Sequence, residues 1–302
     1  MKNILIATVA LGLSFLSAPV LADADFYGSV NVMVSNDDDA SGKAVLKAQN
    51  NGSKIGVEFS ETLVDAEGNS KGGLTGFGKI EVGVDADDSG SDTFDSRLAY
   101  VGVDAGAMGS VAAGRQANPG AGVSKTNIFN VYGGNATFKY ADRSSNSVKY
   151  SNSVGPVSIS AMGIIDGATG KEGLDVTDIS ASMDLGPVAL SGAMVNDRVN
   201  VIKYNIASAS IDVAGITLAG TYSYKDTATT DLTGLEYSAS TSIAGNTIAV
   251  SLQDKEGTGN YYTAGVSRDL SESLSTYAEY QLTDVDTGTD TTQMALGLKY
   301  SF

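Results

Sequence analysis

The chain has 302 residues, a formal net charge of −16 at pH 7, and neither cysteine nor histidine. Without these two residue types it cannot form a disulfide, a thiolate or imidazole metal site, or a nucleophile–histidine relay. We therefore expect no catalytic residue, no metal and no cofactor. The acidic balance disfavours a nucleic-acid partner, because nucleic acid attracts basic surfaces.

Residues 1–22 are predicted to be a secretory signal peptide. A positive start at Lys2 precedes an apolar run from Ile4 to Leu16, and small residues before Ala22 offer a cleavage site after it. Cleavage after Ala24 is the close alternative. A transmembrane anchor is disfavoured, because the apolar run is short for a membrane span and no basic segment follows it. We assign 1–22 to the signal peptide and 23–302 to one exported domain.

The rest of the chain alternates apolar and polar residues with a period of two, which is typical of strands with two different faces. In the last segment the apolar row runs from Met294 to Phe302, while Lys299 lies on the opposite face. We expect this row to face lipid or a neighbouring subunit, and the strand to pair with the one that starts at Phe26. The clearest alternating segments are 55–59, 188–194, 216–224, 248–252 and 294–302.

Short turns alternate with longer polar connections along the chain, and this arrangement is typical of transmembrane barrels. The predicted tight turns are Gly155-Pro156, Gly186-Pro187, Ala214-Gly215 and Gly245-Asn246. The longer, acidic connections are 36–43, 85–95, 166–175, 226–231 and 284–290. Together they predict an all-β fold of roughly sixteen antiparallel strands that cross a membrane as a closed barrel.

A soluble β-sandwich is the alternative, since there too one face of each strand is apolar. The polar face, however, mixes glycine, alanine, serine, threonine and charged residues, which suits a water-filled lumen. Aromatic pairs near strand ends, such as Phe26-Tyr27 and Tyr261-Tyr262, are similar to the aromatic girdles of membrane barrels, although the chain has no tryptophan. We therefore favour the barrel.

Several segments resemble, in the same order, those of the Gram-negative general porins. They are Asp25–Val30, Gly52–Val57, Leu74–Lys79, Ser96–Gly102, Gly109–Val111 with Gly114-Arg115, Arg143–Tyr150, Leu274–Tyr277 and the closing Tyr300-Ser301-Phe302. The resemblance covers nearly the whole exported part. It implies a 16-stranded antiparallel barrel in the outer membrane of a Gram-negative bacterium, usually a homotrimer, whose third loop folds into the lumen and narrows it.

The same resemblance implies which residues line the constriction. Its basic wall would be Lys54, Arg115 and Arg143, facing the third loop between about residues 116 and 142. Alternation also turns Lys54 inward, whereas Arg115 shares parity with the apolar Val111 and needs a strand end or a bulge to point inward. Phe302 resembles the family's assembly signal, which the barrel-assembly machinery reads. Outer-membrane lipid and lipopolysaccharide are the other implied partners.

The third loop departs from the family pattern in its charge. Its segment Val131, Tyr132, Gly133, Gly134, Asn135 stands where the family has a glutamate and an aspartate, at the positions of Val131 and Asn135. No acidic residue occurs between Gln116 and Ala141, although Lys125 and Lys139 are present. We therefore hypothesise that cation preference is weaker than the net charge suggests and that selectivity leans towards anions.

The function expected from these features is passive diffusion of small hydrophilic solutes and ions through a porin channel, with no enzymatic activity. Two alternatives stay open on the same barrel. One is a solute-specific channel for a sugar or an anion. The other is a surface adhesin or phage-receptor barrel with a closed lumen.

Overall fold

In the computed structural model, residues 23–38, 43–65, 67–87, 92–167 and 173–302 are described, and they form one antiparallel sheet of 17 strands. The predicted signal peptide, 1–22, lies outside the described residues. The strands are β1 Asp23–Asp38, β2 Ala44–Asn50, β3 Lys54–Val64, β4 Ser70–Val84, β5 Phe94–Asp104, β6 Ser110–Ala117, β7 Arg143–Val154, β8 Val157–Ile164, β9 Val176–Asp184, β10 Val188–Asp197, β11 Ile202–Val213, β12 Ile216–Asp226, β13 Asp231–Ile243, β14 Asn246–Lys255, β15 Gly259–Asp269, β16 Leu274–Val285 and β17 Thr291–Ser301. Two short 3₁₀ helices, Gly106–Met108 and Pro119–Gly122, complete the described elements. No helix in these ranges is long and apolar enough to span a membrane.

The strands β2 and β3 are two segments of one strand of the wall. Both pair with β1, through Val32 opposite Asn50 and Ser29 opposite Lys54, and only residues 51–53 separate them. Counted this way, the wall has 16 strands, each hydrogen-bonded to the next in chain order. The predicted fold is therefore confirmed.

The barrel closes between the last strand and the first. Strand β17 pairs with β1 from Ser29 opposite Ser301 to Asp37 opposite Gln293, as the sequence predicted. Beyond this ladder, the Gly28 N–H donates to the Phe302 carbonyl at 2.9 Å, and the Phe302 N–H donates to the Gly28 carbonyl at 3.1 Å. A Cβ at Gly28 would lie 2.5 Å from the Phe302 ring, so glycine makes room for the closing aromatic.

Polar residues line the inside of the wall and apolar residues cover the outside. On β17, Met294, Leu296 and Leu298 are about half exposed, whereas Ala295 between them is 2% exposed. The most buried side chains are polar, among them Gln116, Glu236, Ser223 and Asp178. A sandwich would bury the apolar row, so this pattern excludes it and matches a barrel whose outer face contacts lipid.

Tight turns connect the strands at the end where β1 begins, which is the periplasmic end in barrels of this type. In the Ala214-Gly215 and Ala244-Gly245 turns both residues have positive φ, as type I′ hairpins require. The second turn therefore lies one residue before the predicted Gly245-Asn246, and Asn246 begins β14. The long connections lie at the opposite end, and parts of three of them, 39–42, 88–91 and 168–172, fall outside the described residues.

Candidate functional site

The third loop, residues 118–142 between β6 and β7, folds into the lumen and runs along the inner wall. Its first contact is with β9, where both carboxylate oxygens of Asp178 accept the Gly120 N–H at 3.0 and 3.1 Å. Further on, the Ser191 hydroxyl of β10 donates to the Val123 carbonyl at 2.5 Å. The inward path that the family resemblance implied is therefore confirmed.

Glu236 on β13 holds the two sides of the loop together. Its Oε1 accepts the N–H groups of Ala136 and Thr137 at 2.9 and 2.7 Å. Its Oε2 accepts the Thr126 hydroxyl at 2.5 Å. The Glu236 side chain is fully buried, and bonds to an ionised acceptor are the stronger class of hydrogen bond.

Glu279 on β16 holds the tip of the loop. Its two oxygens accept the backbone N–H groups of Asn130, Val131 and Tyr132 at 2.6, 2.9 and 3.1 Å, and Oε1 also accepts the Asn130 amide at 3.1 Å. The Tyr132 carbonyl in turn accepts bonds from Thr263 and Gln281. The loop segment 130–132 therefore lies against β15 and β16.

At one position of the wall, Gly234, the loop approaches more closely than any side chain there would allow. A Cβ at Gly234 of β13 would lie 1.9 Å from the carbonyl oxygen of Ala136, which is itself fully buried. At the returning end, Phe138 and Tyr140 pack against a buried apolar cluster formed by Ile164, Val176, Val195 and Tyr204. Burial raises the pKa of the Tyr140 phenol above its usual range, so it is neutral at physiological pH.

These contacts define a covered wall, the inner faces of β9–β16, on which the loop rests. The predicted segment Val131, Tyr132, Gly133, Gly134, Asn135 lies there, with the Asn135 N–H donated to Gln253 at 2.8 Å. The alternation of apolar and polar residues along the strands predicts that Asp178, Glu236 and Glu279 point inward. It does not indicate that they bind the loop. Their partners are more than 50 residues away in sequence.

The opposite part of the lumen is an open wall, the inner faces of β1 and β3–β5, and its centre is Glu81. This carboxylate is 3% exposed and accepts from Lys54 at 3.0 Å, Arg97 at 2.6 Å and the Tyr27 hydroxyl at 2.8 Å. Lys54 therefore faces inward as predicted, but it is paired. Arg97 was not predicted, because alternation would turn it outward with Val101. A register irregularity beside Glu81 re-aims it.

A second charged pair lies next to the first on the open wall. Lys79 forms an ion pair with Glu58, and its ammonium lies 4.5 Å from the centre of the Tyr27 ring. These two groups together hold three cations, Lys54, Lys79 and Arg97, against the two carboxylates Glu58 and Glu81, so the cluster has a net charge of plus one. The same inner faces also carry Asp25, opposite Glu58, and Asp95, opposite Gly83.

The other two predicted cations lie next to the open wall, where the third loop begins and ends. Arg115 is located at an irregularity of β6 between Gly114 and Gln116, and it donates to the Ser96 carbonyl and the Ser145 hydroxyl at 3.1 and 3.0 Å. Arg143 is the first residue of β7 and has no ion pair within the described ranges. Within the described residues, the hydrogen bonds of Arg115 and the ion pair of Lys54 go to different partners, and the role of Arg115 and Arg143 at the constriction stays a prediction.

Comparison with known proteins gives one matching family and several solved structures of similar fold. A sequence model described as Gram-negative porin matches residues 7–301, whereas no curated protein sequence matches the chain. Among solved structures, the anion-selective porin from Comamonas acidovorans superposes with a TM-score of 0.77 at 18% identity, covering 93% of this chain and 100% of that one. OmpF of Salmonella typhi, in complex with daunomycin, gives 0.76 at 19% identity, with 92% and 97% covered. A loop L8 deletion mutant of OmpT from Vibrio cholerae gives 0.74 at 17% identity, with 93% and 99% covered.

Proposed function

The chain belongs to the Gram-negative porin family and is an outer-membrane channel for passive diffusion, and from this premise we propose that its constriction leans towards anions. The proposal rests on where the carboxylates near the loop lie. Residues 116–141 contain no acidic residue, and the three carboxylates that touch the loop are buried beneath it. A solute at the level of Glu81 therefore meets a charged cluster with a net charge of plus one on the wall. On the other side it meets a loop without carboxylates that carries Lys125 and Lys139.

The electrostatics of a narrow, wet passage support this reading. Charges that line a pore act on the passing ion at close range, whereas exposed charges more than about 10 Å away are largely screened at 0.1 M salt. The strongly negative total charge of the chain lies mostly in connections such as 85–95 and 284–290. It gathers cations at the mouth without setting preference at the constriction.

The test is the zero-current potential of the purified channel in a planar bilayer under a steep KCl gradient. We expect a potential near zero or of the sign that chloride permeation produces. A potential close to the value for potassium alone would overturn the proposal. Glu58, Glu81 or the acidic mouth would then be setting the field.

A charge-restoring variant sharpens this test. Val131→Glu returns a carboxylate to the loop position where the family carries one, and it should shift the potential towards potassium. Val131→Gln is the matched control, because glutamine has nearly the same shape without the charge. Equal shifts in the two variants would show that loop charge is not the determinant.

We also propose that the channel is a homotrimer without enzymatic activity, embedded in outer-membrane lipid and lipopolysaccharide. The general porins that the sequence resembles are usually trimers, and the outer apolar rows of this barrel can face either lipid or a neighbouring subunit. The mass of the detergent-solubilised protein, measured by light scattering with the detergent contribution subtracted, tests the assembly. A monomer under mild extraction would contradict it.

Phe302 is proposed as the signal that the barrel-assembly machinery reads. The residue is 61% exposed at the closing seam, where a partner can reach it. Phe302→Ser should reduce insertion in cells while refolding into detergent in vitro stays unchanged. Equal losses in both assays would assign the residue to stability instead.

A further inference from the structure

A cavity of about 530 Å³ opens into the lumen between β5 and β9, near the periplasmic turns and beside Pro119 at the start of the third loop. None of the residues of the charged cluster around Glu81 lines it. Most of its lining is serine, and the serines that matter here are Ser151, Ser153, Ser158, Ser160, Ser180 and Ser182.

These serines lie in two rows that cross the strands in register. In the first row Ser160 of β8 pairs with Ser151 on one side and with Ser180 on the other. In the second row Ser158 pairs with Ser153 and with Ser182. Neighbouring strands lie about 4.8 Å apart, so each row presents a hydroxyl group at about that repeat.

Several of these hydroxyls have unused hydrogen-bonding capacity. Ser151 and Ser160 share one bond at 3.1 Å, and the Ser160 hydroxyl also donates to the Tyr150 carbonyl at 3.3 Å. Ser153 and Ser158 share a bond at 2.8 Å. A hydroxyl can donate once and accept twice, so the first pair retains acceptor positions and the second retains a donor as well. Within the described part of the chain, the hydroxyls of Ser180 and Ser182 bond to no protein group.

Charge is nearly absent from the cavity. Asp104, at its periplasmic edge, is the one charged residue among the described lining residues, and no lysine or arginine lines it. An ion that gave up its water here would find only neutral hydroxyls in exchange. A neutral solute rich in hydroxyls would find groups that can both donate to it and accept from it.

We propose that this cavity is a weak binding subsite for neutral polyhydroxylated solutes, such as small sugars, on the periplasmic side of the constriction. The proposal rests on the porin function, because the solute must first pass the third loop. Exchanging water for a protein hydroxyl changes the free energy little per hydrogen bond, so binding is shallow and release is fast. Shallow sites in series are what conduction through a pore requires.

The test uses the full-length mature protein in a planar bilayer, with sucrose as the probe. Sucrose should reduce the KCl current beyond its effect on bulk conductivity, and the excess reduction should saturate. The variant Ser160→Ala, Ser180→Ala, Ser182→Ala should weaken the apparent sucrose affinity about fivefold to tenfold, the effect of losing about one net hydrogen bond. Its KCl conductance without sucrose should match that of the parent.

Two further triple variants control for a general effect of the substitutions. Threonine at the same three positions keeps the hydroxyls and should keep the sucrose effect. Alanine at Ser238, Ser240 and Ser242 removes three inward hydroxyls from β13, outside the cavity, and should leave the affinity unchanged.

The possible outcomes distinguish failure of the subsite from failure of the porin function. A parent channel without saturable excess block, or an unchanged affinity in the cavity alanine variant, would overturn the subsite while leaving the porin function intact. Equal losses in both alanine variants would also overturn it, since the effect would then not belong to the cavity. Absence of any KCl conductance would refute the open channel and the subsite together.

Discussion

The open wall and the covered wall of the lumen both contain buried carboxylates, and they use them in different ways. On the open wall, Glu81 is surrounded by Lys54, Arg97 and Tyr27, all side chains of the same wall. On the covered wall, Glu236 and Glu279 accept backbone N–H groups of the third loop. The first carboxylate belongs to the field of the pore, whereas the other two hold the loop that shapes the pore.

Removing a carboxylate from the covered wall should therefore have the largest effect. Glu279→Ala leaves three backbone N–H groups of the loop tip without their acceptor and should cost about 2–4 kcal/mol of the free energy that docks the loop. We expect a higher and noisier single-channel conductance. Glu272→Ala, in an exposed periplasmic turn, is the matched control and should behave like the parent. A quiet channel of parental conductance would show that the loop does not depend on Glu279.

A methyl group can break the same docking without changing any charge. Gly234→Ala places a Cβ where the Ala136 carbonyl now lies, so loop or strand must move at a cost of about 1–3 kcal/mol. Conductance should change while the zero-current potential keeps its sign. Gly220→Ala, on the adjacent β12, is the control. The nearest atom to its new Cβ is 3.7 Å away, so its conductance and zero-current potential should match those of the parent. Identical behaviour of the two variants would contradict the close approach.

On the open wall, Lys54→Met should shift the zero-current potential moderately towards potassium. The net charge of the wall falls by one, but Arg97 still neutralises Glu81, so the change stays smaller than a complete reversal. Lys203→Met removes a lysine that is 62% exposed at the end of β11, and it is the control. Equal shifts from both lysines would mean that the constriction is not where selectivity is set.

The smallest effect is expected at the edge between the two walls. The Tyr277 hydroxyl accepts from the Asn51 amide at 2.8 Å and donates to the Asn31 side chain at 3.1 Å, close to the junction of β2 and β3. Tyr277→Phe should lower the free energy of unfolding by about 1 kcal/mol and leave conductance unchanged. The thermal transition of the purified protein measures the loss. A changed conductance would show that this contact shapes the pore as well.

The outer face of the barrel could be predicted from the sequence because the strand period is fixed by the backbone. Once Met294 to Phe302 is assigned to one face, Ala295 and Lys299 must lie on the other, and a slip by one residue would reverse every side chain. Alternation misses Arg97 for the same reason, since one irregular residue pair changes the parity locally and the sequence pattern does not show it.

The inward path of the third loop could not be derived from the loop's own residues. Its hydrogen bonds go to Asp178, Glu236 and Glu279, which lie much later in the sequence. The prediction that the loop enters the lumen therefore came from the family resemblance alone. The pairing of Lys54 with Glu81 also depends on a contact between strands. Because Lys54 is paired, the three predicted wall cations overstate the unpaired positive charge at the constriction.

The difference between the two walls is tested most directly by neutralising one carboxylate on each and measuring the zero-current potential in the same KCl gradient. Glu81→Gln frees Lys54 and Arg97 and should move the potential clearly towards chloride. Glu236→Gln removes a charge that is fully buried beneath the loop, and its potential should stay close to that of the parent even if the conductance changes. A larger shift for Glu236→Gln than for Glu81→Gln, or equal shifts, would contradict the assignment of the pore's field to the open wall.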